Sequence, residues 1–272
     1  MLAIKIGLIG AGRMATALGR GFVNAKLVSA SALTASDPSD AARAAFSQEV
    51  PGAQVVSTNS NVFAACDVVI LAVKPQLMKP VLAEVREVIR PDALVVSIAA
   101  GVTLAGLAAG LQPNQRIVRV MPNTPCLIGR GASGYSLGPH ATPADGQLVT
   151  QLLAAVGVAY EVPETQLDAV TGLSGSGPAF VYTMIEALAQ GGRDAGLPAE
   201  LASALAAQTA VGAAEMVLTT GETPAELRDR VTSPGGTTVA GLKALEENGF
   251  QPAVVAAVVA ATCRSVELGK SS

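Results

Sequence analysis

The stretch Ile4–Ala15, Ile-Lys-Ile-Gly-Leu-Ile-Gly-Ala-Gly-Arg-Met-Ala, decides the fold. Its first half, Ile4–Ile9, reads as a buried strand, and a helix is expected from about Arg13 to Asn24. Between them, Gly10-Ala-Gly-Arg-Met-Ala15 has the G-x-G-x-x-A form of a dinucleotide fingerprint. Such a loop needs a tight turn at Gly10, close backbone approach to a pyrophosphate at Gly12, and a small residue at Ala15 where helix meets strand. The helix then offers free N–H groups and a positive dipole end to the phosphates. Alone the pattern is weak, since an ordinary glycine-rich βα turn would look similar. Its setting after a strand and before a helix is what gives it weight.

Further along, short Val/Ile/Leu runs alternate with helical patterns up to about residue 162. Leu33–Ser36, Asp67–Val73, Ala93–Ala99 and Arg116–Pro122 are each continuous rather than alternating, and are bounded by Pro, Gly or Asp. Continuous runs of that length fit strands covered on both faces, as in a parallel sheet. "ASGYSL" and "VAYEV" extend the sheet's edge, with a helix around Pro143–Val156 between them. After Pro163 strand signals vanish. Phe180, Val181, Met184, Ile185 and Leu188 recur at helical spacing, and Val254, Val255, Val258, Val259, Thr262, Cys263 and Val266 repeat the stripe. The expected fold class is α/β: an N-terminal Rossmann-like, doubly wound sheet over 1–162, followed by an all-α domain over 163–272. Several of its helices look apolar on more than one side, which points to an oligomer interface.

Half of the 272 residues are apolar, only 3% are aromatic, and the net charge is −3. No basic run offers a nucleic-acid surface, so no such partner is expected. Three scattered cysteines suit a reducing compartment. The N-terminus lacks a signal-peptide layout, and the apolar run Ala253–Cys263 spans eleven residues, too few for a bilayer. A soluble, cytoplasmic protein without a metal site is the expectation.

Doubly wound sheets hold ligands at the C-terminal ends of their strands. Besides Gly10, Gly12, Arg13 and Met14, the candidate cofactor residues are therefore Ser36 and Asp37 after the second strand, then Asn59, Val73, Lys74, Pro75, Ala99, Ala100 and Asn123. Asp37 either accepts the adenine-ribose hydroxyls, favouring NADH, or caps the next helix. Ser36, Asn59 and Arg43 would serve a 2′-phosphate if Asp37 turned away. Lys74 leans toward the cofactor or is a solvated loop lysine. Asn123 and Thr124, between two prolines, either hold a nicotinamide carboxamide or form a rigid turn.

Two glycine-and-hydroxyl segments precede helices in the second half: "LSGSGPAF" (Leu173–Phe180) and "SPGGTT" (Ser233–Thr238). Each is either a helix cap or an anion site built from backbone N–H groups and hydroxyls. Together, "GLIGAGRMATAL", "LAVKPQ", "VVSIAAGVTL", "RVMPNTP", "GLSGSGPAFVY" and "VTSPGGTTVAGLKALEENGF" closely resemble the Δ1-pyrroline-5-carboxylate reductase family, over about Ile4 to Glu267. Arg13 departs from the Asn or Gln common at its position. The resemblance implies reduction of a cyclic imino acid, Δ1-pyrroline-5-carboxylate, to proline by NADPH or NADH, in proline biosynthesis. It implies that Ser233, Gly236 and Thr237, with Ser176 and Gly177, bind substrate, and that the Thr238 hydroxyl reaches the substrate nitrogen. It also implies intertwined helical domains in a homodimer that assembles further.

Bottom-up chemistry agrees with that site. A carbonyl under reduction needs a proton donor, whereas a protonated imine carries its own proton. The lone His140, in an apparent exposed loop, is not expected to take part. A 3-hydroxyacid dehydrogenase, the rival reading, would need a lysine in the helical half, and Lys243 is the candidate. A nicotinamide-binding sensor without chemistry would need no second anion site.

Overall fold

The four-residue apolar runs become strands because each is covered on both sides. β1 (Ile6–Ile9), β4 (Val68–Leu71) and β5 (Leu94–Ser97) are buried at every position. The computed structural model describes residues 1–270. Its chain runs β1, α1 (Arg13–Asn24), β2 (Leu33–Ser36), α2 (Asp40–Glu49), β3 (Gln54–Val56), α3 (Ser60–Ala65), β4, α4 (Met78–Val85), β5 and α5 (Leu104–Gly110). It continues through β6 (Arg116–Met121), β7 (Gly131–Leu137), α6 (Pro143–Ala154), β8 (Gly157–Glu161) and α7 (Leu167–Val170). The remaining helices are α8 (Gly177–Asp194), α9 (Ala199–Thr220), α10 (Pro224–Arg230), α11 (Thr237–Glu247) and α12 (Phe250–Lys270).

The strand order is β3-β2-β1-β4-β5-β6-β7-β8. The first six strands pair parallel in the order of a dinucleotide-binding sheet. β7 then runs antiparallel to β6, and β8 parallel to β7. One apolar cluster lies on each face of the sheet: Phe22 and Phe46 belong to one, Phe63 and Leu107 to the other. β2 has its expected bounds. β1 starts at Ile6 rather than Ile4, and β3 was not anticipated: it is only three residues long and begins with the exposed Gln54.

The chain divides into two compact units, Met1–Ser176 with the chain end from Ala260, and Gly177–Val259. In the first, β6 carries a buried cation. Arg119, 5% exposed, donates to Glu164 Oε1 at 3.0 Å and lies 4.0 Å from Asp168 Oδ1. Glu164 also accepts the Leu104 N–H, and Asp168 accepts the Ser265 hydroxyl, so the group ties the start of α5, α7 and the end of α12 to the sheet. Removing a buried charge partner usually costs about 3–5 kcal/mol, and here less, because both carboxylates reach solvent. Arg119→Met is expected to cost about 2–3 kcal/mol, a fall of roughly 5–10 °C in melting temperature by scanning calorimetry. An unchanged melt would show that the group holds nothing.

In the second unit, alanines let helices come close: Ala189 and Ile185 of α8 meet Ala202 and Ala206 of α9. Most other apolar side chains face outward. Leu201, Leu205, Val211, Met216 and Leu218 are exposed on α9, as are Val254, Val255 and Val259 on α12. One correction concerns the apolar run Ala253–Cys263. It lies inside a far longer helix, and Phe250–Gly269, like Ala199–Thr220, is long and apolar enough to cross a membrane. Length alone therefore does not exclude a bilayer.

Candidate functional site

β1 has β2 on one side and β4 on the other, so the loop after it sits at the point where strand order reverses. Gly10 donates its N–H to Ser36 O at 2.7 Å with φ +96°, and a Cβ there would stand 2.9 Å from Ala72 O. Only glycine suits that turn. Gly12 differs. Its φ is an ordinary −77°, it is the N-cap of α1 without a side-chain cap, and a Cβ on it would meet nothing within 4 Å. That is an open cradle above an uncapped helix start with no acidic residue in its first turn. Arg13 is exposed, Met14 half-buried, and Ala15 is 1% exposed under the helix. These residues fit a dinucleotide pyrophosphate, which they would hold through backbone N–H groups.

Asp37 at the end of β2 uses both carboxylate oxygens. Oδ2 accepts the Ala11 N–H at 3.0 Å and Oδ1 the Ser39 N–H at 2.9 Å. The cap of α2 is Ser39, whose hydroxyl accepts the Ala42 N–H. Asp37 thus ties the glycine loop to the turn into α2. Arg43 donates to the Asp37 carbonyl and to the Asp40 carboxylate. The buried Ser36 hydroxyl donates to Asn59 Oδ1 at 2.8 Å, and Asn59 Nδ2 donates to Glu84. Ser36, Asp37 and Asn59 therefore share one end of the sheet with Gly10. Glu84 was not anticipated, because the only sign of it is a partner 25 residues away.

Past β4 and β5, Val73 is half-buried, Lys74 exposed, Pro75 half-buried, Ala99 buried and Ala100 exposed. A cleft of about 430 Å³ opens there, lined in part by Pro75, Lys79, Ala100 and Thr103. Asn123, 8% exposed, has its amide engaged at both ends. Nδ2 donates to Ser174 O at 3.0 Å, and Oδ1 accepts the Ala132 N–H at 2.9 Å. That is the rigid-turn alternative.

The two helix starts of the second half differ. Leu173–Ser176 is not a free helix start. Thr171–Gly175 is a π-helical turn, and the Ser176 N–H is taken by Thr171 O at 2.8 Å. Gly177 opens α8 directly after it. Ser233–Gly236 closes a turn by a 2.9 Å bond from Gly236 N–H to Ser233 O, with Gly235 at φ +71°. Proline second and a left-handed glycine third is the type II pattern. Gly236 is therefore the N-cap of α11 in extended backbone, without a side-chain cap, and its own N–H is spent on the turn. The first-turn N–H groups of Thr237, Thr238 and Val239 are the ones a helix start leaves free. Thr238 is half-buried, while Ser233 and Thr237 are exposed. Lys243 is exposed and lies 3.8 Å from Glu247, so it has the setting of a solvated lysine. His140 is exposed, as expected. Among the described residues no group of three or more His, Cys, Asp or Glu could hold a metal.

Comparison with known proteins agrees across the chain. Residues 164–268 match a family model for pyrroline-5-carboxylate reductase dimerisation, and residues 5–101 match one for a coenzyme F420-dependent NADP oxidoreductase. The chain is 46% identical over 266 residues to pyrroline-5-carboxylate reductase 3 of Mus musculus, covering 98% of this chain and 96% of that one. It is 46% identical to the reductase of Pisum sativum, with coverage of 97% and 95%. Among solved structures, a pyrroline-5-carboxylate reductase from Coxiella burnetii superposes with a TM-score of 0.92 at 34% identity, covering 98% and 99%. One from Plasmodium falciparum, with NADP bound, gives 0.88 at 34%, covering 99% of each chain.

Proposed function

The chain belongs to the pyrroline-5-carboxylate reductase family and reduces Δ1-pyrroline-5-carboxylate to proline with NAD(P)H, and from that premise we propose how its own residues do so. The observation that carries the proposal is the start of α11. It is an uncapped helix end behind a type II turn, with hydroxyls and no charged side chain in its first turn. The Thr237 and Thr238 N–H groups take the substrate carboxylate, and Val239 N–H is in reach of the same anion. The Thr238 hydroxyl lies at the ring nitrogen, where it orients the imine and disperses charge. Ser176, Gly177 and Ser233 are the further substrate-binding residues. Gly236 serves through its turn rather than through its N–H.

Gly10, Gly12, Arg13 and Met14 hold the pyrophosphate. Ser36, Asp37 and Asn59 meet the adenine ribose, and Val73, Lys74, Pro75, Ala99 and Ala100 flank the rest of the dinucleotide. The nicotinamide, when bound, supplies the hydride that goes to the C=N carbon. A protonated imine needs no acid from the protein, in keeping with the uncharged first turn and the exposed His140. Residues 1–162 serve the cofactor, and 163–272 serve substrate and dimerisation. A second copy of this chain covers the apolar faces of α9 and α12, dimers assemble further, and the enzyme works in the cytoplasm.

The test is the loss of reduced-nicotinamide absorbance on adding Δ1-pyrroline-5-carboxylate, run with NADPH and with NADH, beside Thr238→Ala. Wild-type turnover with kcat/KM lowered about tenfold or more in the variant is the expected result. A variant as active as the wild type would remove Thr238 from the site.

A further inference from the structure

The π-turn at Thr171–Gly175 contains one carbonyl that has no α-helical donor. In α-helical register Ser174 O would accept the N–H of residue 178, and residue 178 is proline, which has none. The donor comes instead from Asn123 Nδ2, at 3.0 Å and 51 residues earlier in the chain. The other end of the same amide accepts the Ala132 N–H, so the side chain is held rigidly between β7 and the π-turn. A second contact lies beside it. A Cβ on Gly175 would stand 2.5 Å from Met121 Cε, so a side chain at 175 would have to push the end of Met121 aside where the turn meets β6. Inside the turn, the Ser174 hydroxyl donates to Val170 O and the Ser176 N–H to Thr171 O.

We propose that Asn123 is a positioning residue for the imino-acid end of the site. It replaces the N–H that Pro178 lacks, and so fixes the π-turn that delivers Ser176 to the substrate. π-Turns inside helices are frequently functional, and this one is specified from outside the helix by a single amide. The inference rests on the reading that Ser176 and Gly177 border the substrate. It departs from the expectation that Asn123 holds the nicotinamide.

The test is Asn123→Asp, which keeps an acceptor for Ala132 and sets a carboxyl oxygen against Ser174 O in place of the donor. With folding checked by circular dichroism, KM for Δ1-pyrroline-5-carboxylate is expected to rise about tenfold or more. The Kd values of NADPH and NADH, read by cofactor fluorescence, stay within about twofold of the wild type. Cofactor Kd weakened as much as KM would overturn the proposal in favour of a nicotinamide ligand, and so would kinetics equal to the wild type. If Asn123→Asp does not fold, Gly175→Ala carries the test. It is expected to raise KM alone, with Met121→Ala in the same chain restoring it. A raised KM that Met121→Ala leaves unrelieved would count against the proposal. Failure of the wild type to reduce the imine at all is a separate result, and would sink the substrate reading instead.

Discussion

Gly12→Val folds and loses its cofactor. The expected loss is about a hundredfold or more in NADPH and NADH affinity, roughly 2.7 kcal/mol, read by cofactor fluorescence on the purified protein. The reason lies in two different glycines. At Gly12 the backbone is ordinary and a side chain would enter open space, so the folded chain scarcely registers it. An N-cap valine costs about 1 kcal/mol at most against glycine. That open space is where the pyrophosphate must approach the backbone. At Gly10 the situation reverses: φ is +96° and a Cβ would press on Ala72 O at 2.9 Å. Gly10→Ala is therefore expected to lower the melting temperature, whereas Gly12→Val leaves it nearly unchanged. Equal cofactor affinity in Gly12→Val and the wild type would show that the loop binds no pyrophosphate.

What the sequence made legible was local. Gly10 and Gly12 announce themselves because the turn, the strand before it and the helix after it lie within a few residues. β2 and α1 have their expected bounds for the same reason: apolar runs and breakers sit side by side. The features that were not legible depend on distant partners. Asn123 looked like a ligand because nothing near it in the chain needs an amide; its partners are Ser174 and Ala132. Asp37 reads as a ribose acceptor or a helix cap, and no local pattern shows that its carboxylate also accepts the N–H groups of Ala11, 26 residues earlier, and of Ser39. One such signal was available and passed unread. Pro178 stands four residues after Ser174, so a carbonyl there lacks its helical donor, and a missing donor calls for a side chain from elsewhere. Gly236, expected to bind substrate, spends its N–H on the type II turn that the neighbouring Gly235 makes at φ +71°.

Thr237→Pro tests the start of α11 by deleting one N–H and little else. Proline is well suited to the first position of a helix, and α6 and α10 of this chain already begin with Pro143 and Pro224. The preceding residue must be extended, and Gly236 already is, at φ −76° and ψ 167°. Stability should therefore hold or rise slightly. The donor lost is one that the helix leaves free in any case, so only a ligand notices. A hydrogen bond to a carboxylate contributes about 1.5–3 kcal/mol, so KM for Δ1-pyrroline-5-carboxylate is expected to rise roughly ten- to hundredfold, with kcat changing much less. Δ1-Pyrroline, the same ring without the carboxylate, is the internal control: its kcat/KM should be equal in variant and wild type. If both imines suffer alike, the substitution has disturbed the ring or its nitrogen near Thr238 rather than an anion site. If neither does, the carboxylate is held elsewhere, and the glycine-and-hydroxyl turn is a helix cap after all.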